Sequence, residues 1–131
     1  MRIYNRKANK EIKNYLIATK NKIDVKAGNC RFNYRCQYNA VHEAIENNQD
    51  KIAMCVYLHG EYPIIHFLNI GNNGEFVDNT LGHWSSNHDY FLIKYINKED
   101  YFDVDKIFDS YRREIRKNLT FFTRLMSNTE F

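Results

Sequence analysis

Two runs of β-forming residues, 51–58 (KIAMCVYL) and 63–70 (PIIHFLNI), constrain this chain more than any other feature. Both are largely apolar on both faces, so each belongs inside a covered sheet rather than at its margin. His59-Gly60-Glu61 makes the turn between them. Pro63 enters the second run at its first residue, where a missing N–H does least harm. Residues 90–96 (YFLIKYI) form a further strand, and 75–80 (EFVDNT), after the turn G-N-N-G, a short run. Residues 36–47 carry Ala40, Val41, Ala44 and Ile45 at helical spacing and leave His42, Glu43 and Glu46 outward, with small residues at 40 and 44 for close approach to a sheet.

Helices flank this core. Residues 9–21 place Ile12, Tyr15, Leu16 and Thr19 on one stripe among lysines. Residues 103–118, or longer, place Val104, Ile107, Phe108, Tyr111 and Ile115 on another, with Asp103 as N-cap. Phe121, Phe122, Leu125 and Met126 then extend that helix, pack back on the core or form an oligomer contact. The expected fold is α+β within one domain, 1–131: a central helix on an antiparallel sheet of about four strands, core about 28–97, with N- and C-terminal helices.

The chemistry concentrates in three residues. Cys36 opens the central helix, His66 lies within a strand with apolar neighbours, and Asp78 lies in the short run that follows. A thiol becomes a good nucleophile when a helix N-terminus and an imidazole lower its pKa. The imidazole in turn is held in one tautomer by a carboxylate. With Gly71, Asn72 and Asn73 as a three-residue loop, Ile70 faces Gly74, Leu68 faces Phe76 and His66 faces Asp78, whereas a two-residue Asn72-Asn73 turn would send His66 and Asp78 to opposite faces. Cys30, after Gly28-Asn29, is a rival nucleophile; Cys36 is preferred because the apolar spacing of the helix starts there. Cys55, inside an apolar run, reads as a buried small residue.

A helix-opening Cys36, the pair His66-Phe67 in a strand and Asp78-Asn79-Thr80 after a turn resemble the transglutaminase-like branch of the papain-like cysteine enzymes. The Cys36-x-x-Asn39-Ala40 opening is similar to that of small bacterial and phage proteins with the same order. The family's aromatic after histidine is usually Trp and its residue after aspartate usually Pro; here they are Phe67 and Asn79. The resemblance implies a papain-like core and a Cys36-His66-Asp78 triad for thiol-dependent acyl transfer on a protein or peptide: amide hydrolysis, deamidation or transamidation. Asn33, Gln37, Asn39 and Trp84 are candidates for the substrate groove or an oxyanion donor. A core that keeps the fold without catalysis and binds a protein partner is the alternative.

Composition narrows the classes further. Three cysteines without a C-x-x-C pair argue against a disulfide framework and a structural zinc site. His59, His83 and His88 lack metal-ligand spacing, so no metal or cofactor is expected. A net charge of +3 is too weak to indicate nucleic acid, although Arg31 and Arg35 interleave with Phe32, Tyr34 and Tyr38. No apolar run reaches a membrane span, and no h-region follows the N-terminal charges, so a cytoplasmic protein is expected. Abundant Asn, Lys, Tyr and Ile fit AT-rich coding, as in a low-GC bacterium or its phage.

Overall fold

The computed structural model describes residues 2–31 and 35–127. Helix α1 (Arg2–Thr19) leads into two short strands, β1 (Asn21–Ile23) and β2 (Val25–Ala27). Helix α2 (Cys36–Glu46) is followed by β3 (Lys51–His59), β4 (Tyr62–Ile70) and β5 (Phe76–Asp78). A 3-10 turn (Gly82–Asn87) precedes β6 (Asp89–Asn97), and a second (Lys98–Asp103) leads to α3 (Val104–Arg116) and α4 (Phe121–Met126).

The class is α+β, but the sheet has six strands rather than about four, in the order β1-β6-β3-β4-β5-β2. It is mixed, because β2 runs parallel to β5 while the other pairs are antiparallel. The two additional strands come from 21–27, where only Ile23-Asp24-Val25 carries a weak β signal. A single residue, Asp24, separates β1 from β2, yet one pairs with β6 and the other with β5. Opposite margins of the sheet are therefore one stretch of chain, and the sheet must curl. A bulge in the β3–β6 ladder, where Met54 faces Lys94 but Cys55 faces Leu92, adds local twist.

The curl makes two cores. Ile52, Met54, Val56 and Leu58 of β3, with Ile65 and Phe67 of β4, pack against Ala8, Ile12 and Leu16 of α1, Ala40 and Ala44 of α2, and Val104, Tyr111 and Ile115 of α3. The alternate residues Ala53, Cys55 and Tyr57 meet Leu68 and Tyr90 on the inner face, under Ile23, Val25, Phe76 and Leu92. Period-two alternation thus places His66, directly across from Cys55, on the inner side of the curl.

Several local expectations change. Helix α1 starts at Arg2, because Ala8 continues the Ile12, Leu16 rhythm toward the N-terminus. In α2 the buried residues are Asn39, Ala40 and Ala44, whereas Ile45 is exposed: the helix turns a narrow, small-residue stripe to the sheet. Asp103 precedes α3 but makes no side-chain cap. The C-terminal segment does not prolong α3. It breaks, and α4 returns to α1 through Thr120 and Thr123, whose hydroxyls donate to Glu11 Oε1, each at 3.2 Å. Phe121, Leu125 and Met126 remain exposed; the side chain of Phe122 lies outside the described residues. Among the described residues no helix is long and apolar enough to cross a membrane.

Candidate active site

His66 and Asp78 meet, though by another register than the sequence suggests. Asn69 faces Val77 and Ile70 faces Phe76, so residues 71–75 form the loop and continuation of the ladder sets Asp78 across from Leu68. The loop is longer because Glu75 folds back: its carbonyl accepts from Gly71 N at 2.8 Å and its carboxylate from Asn73 N at 3.0 Å. A slip of two residues preserves the face, and His66 Nε2 reaches Asp78 Oδ2 diagonally at 2.8 Å.

The Asp78 carboxylate is fully buried and fully used. Oδ1 accepts the backbone N–H groups of Thr80 (2.9 Å) and Leu81 (2.8 Å), and Oδ2 accepts the Tyr90 hydroxyl at 2.7 Å beside His66. Burial alone would raise its pKa, but the hydrogen bond and charge of His66, with the Tyr90 and Leu81 donors, hold it below the ordinary carboxylate value. Burial and the Asp78 charge push the Tyr90 phenol far up, so it stays a donor.

Amides fasten this segment to its neighbours. Asn79 Nδ2 donates to Asn69 Oδ1 (2.8 Å), Asn69 Nδ2 donates to Ala40 O of α2 (2.8 Å), and Asn29 N donates to Asn79 Oδ1 (3.0 Å). Asn39 Nδ2 donates to Thr80 Oγ1 at 3.0 Å, so Asn39, itself buried, braces the helix start. These bonds set the height of α2, and hence of Cys36, relative to the inner face. Gly28 makes the approach feasible: a Cβ there would lie 2.3 Å from Asn79 Oδ1 and 2.7 Å from Val77 Cγ1. Gly28→Ala is expected to cost about 1–3 kcal/mol by overpacking, read as a lowered urea midpoint at unchanged slope.

Cys36 begins α2, half-buried against the helix-side core. Its thiol donates to Gln37 Oε1 at 3.6 Å, and Cys36 is among the groups that raise the His66 pKa. Burial disfavours the charged ring, but the hydrogen bonds and charges of Asp78 and Cys36 outweigh it and raise the His66 pKa from 6.5 to about 9. Tyr57 crosses the imidazole edge-on, centroids 5.0 Å apart, its phenol pushed to about 12 by burial and then by the charge of Cys36. Cys30 is exposed, on a bridge to Leu81, and Cys55 is buried with its thiol pKa raised by burial.

Of the other candidates, Asn33 lies outside the described residues, as do Phe32 and Tyr34. Gln37 Nε2 donates to Asp105 Oδ1 at 3.2 Å. Trp84 is about half exposed, with its ring against His83. Arg31 pairs with Glu43 at 3.8 Å. His59 and His88 rings lie 5.1 Å apart, and among the described residues no three His, Cys, Asp or Glu side chains converge as a metal site. Sequence reasoning missed Tyr57, Tyr90, Asn69 and Asp105, each of which reaches the site from a distant element. Comparison with protein-family models, curated proteins and solved structures finds no match to this chain.

Proposed function

We propose that this chain is a thiol-dependent acyl-transfer enzyme of transglutaminase-like or papain-like type, acting on an amide of a protein or peptide in the cytoplasm. The observation that carries the reading is the buried His66–Asp78 pair, in which Asp78 engages Nε2 and leaves Nδ1 as the ring nitrogen for Cys36. An imidazole oriented by a carboxylate beside a thiol at a helix start is the arrangement nucleophilic acyl transfer requires. In the proposed reaction the Cys36 thiolate, paired with the already protonated His66 ring, attacks the carbonyl carbon. The C–N bond then breaks, His66 protonates the departing amine, and a thioester remains. The Cys36 backbone N–H is one oxyanion donor. Water or a second amine, deprotonated by His66, releases the acyl group as hydrolysis, deamidation or transamidation.

The test is alkylation by iodoacetamide in a Cys30→Ser background, mapped by peptide mass. Near pH 6 an ordinary thiol is less than about 1% ionised, so an imidazole-paired Cys36 is expected to react at least tenfold faster than a free cysteine. His66→Ala should abolish that advantage. Equal rates with and without His66 would sink the enzyme reading. They would leave the binding scaffold, which the exposed Phe121, Leu125 and Met126 of α4 favour as a contact for a protein partner or a second copy.

A further inference from the structure

We infer that Gln37, aimed by Asp105, is a positioning residue that holds Cys36 in its resting thiol form and sets how readily the proposed nucleophile ionises. This deepens the reading above and rests on Cys36 being its reacting group. The argument starts from what each group can accept or donate. Asp105, near the start of α3, offers its two carboxylate oxygens to two residues of α2: Oδ1 accepts from Gln37 Nε2 at 3.2 Å, and Oδ2 accepts the Tyr38 hydroxyl. An ionised carboxylate is acceptor-only, so the Gln37 amide must turn its nitrogen toward it. The amide oxygen then has one direction left, and it stands 3.6 Å from Cys36 Sγ.

A carbonyl oxygen beside sulfur welcomes S–H and repels a thiolate. Forming the ion pair with His66 therefore requires the Gln37 amide to swing away or turn over, and Asp105 opposes both movements. Asp105 is solvent-exposed and its second oxygen is fixed by Tyr38, so the restraint is anchored from outside the site and can be removed without disturbing the core. The other titratable groups acting near the sulfur, His66 of β4, Tyr57 and Cys55 of β3, and Asp78 of β5, are untouched by such a change. Arg35, beside the helix start, acts on Tyr38 and stays in place as well.

The experiment uses the full chain carrying Cys30→Ser, with iodoacetamide as probe, Cys36 modification mapped by peptide mass and rates taken across pH. Asp105→Ala and Gln37→Ala are expected to react about three- to tenfold faster than the parent near pH 6, the scale of one hydrogen bond, with the acidic limb of the profile moved to lower pH. Gln37→Glu should react more slowly, because a fixed negative charge then faces the sulfur. Tyr38→Phe keeps the Gln37–Asp105 bond but frees the second Asp105 oxygen, and should accelerate less than Asp105→Ala. Parent-like rates in both alanine variants would overturn the inference, and acceleration in Gln37→Ala alone would remove Asp105 from it. A parent rate indifferent to His66→Ala overturns the enzyme reading instead, while the Asp105 effect is still read from the same profiles.

Discussion

Asp78→Ala is expected to destabilise the fold by about 3–5 kcal/mol, the cost of stripping one partner from a buried charged pair. The loss strands four donors at once: the His66 ring, the Tyr90 hydroxyl, and the backbone N–H groups of Thr80 and Leu81. Asp78→Asn separates stability from chemistry. The Thr80 and Leu81 N–H groups require an oxygen at the δ1 position, so the new amide nitrogen must occupy δ2 and face His66. Nε2 then accepts, the ring proton moves to Nδ1, and a neutral His66 has no lone pair left for Cys36. The asparagine variant should retain most of the denaturation midpoint lost in the alanine variant, while its Cys36 alkylation near pH 6 falls at least tenfold. Equal loss of stability in both variants would contradict this account of the carboxylate.

Stability should also fall as pH rises from about 6.5 to about 9. The His66 pKa is raised in the folded state, from 6.5 to about 9. Its contribution is therefore fully present below the unfolded value and is lost as pH climbs through the folded one. At about 1.4 kcal/mol per pKa unit, the change is of the order of 2–3 kcal/mol. Asp78 has the opposite sign: its depressed pKa stabilises the fold above 3.8 and ceases to do so as pH drops through the lower folded value. The buried Cys55 thiol, whose pKa is raised, adds a loss only above about its unfolded value of 9.0. Denaturant unfolding at pH 6.5 and 9 should show the decline in the parent and a nearly flat response in His66→Gln. A decline of equal size in His66→Gln would assign it to other groups.

The long central strands were legible because their burial on two faces leaves no room for another reading. β3 is buried from Ile52 through Leu58 and occupies an interior place in the sheet. The His66–Asp78 contact was legible for a less secure reason: a loop two residues longer than expected still returns the strand with the same parity. One residue of slip would have parted them. What sequence could not supply was the filling of the site from afar. Tyr57 and Tyr90 pair directly across β3 and β6, but nothing in KIAMCVYL or DYFLIKYIN says which tyrosine turns inward. Asn79 looked like a departure from the proline of the resembling family, yet its side chain bridges Asn69 and Asn29, a connection no proline makes. The strands of 21–27 are three residues each, too short for a periodic signal, and exist because β5 and β6 offer them partners.

That dual pairing of 21–27 has a kinetic consequence. The β3–β4 hairpin is local and can form early, but β1 must await β6, some seventy residues later in the chain. Until that distant encounter occurs, only the β2–β5 pairing steadies Gly28 and Asn29, which donate to the Asp78 carbonyl and the Asn79 amide. The bracing of the buried His66–Asp78 pair is thereby tied to pairings distant along the chain, so a half-folded chain is expected to carry the proposed nucleophile without its full surroundings.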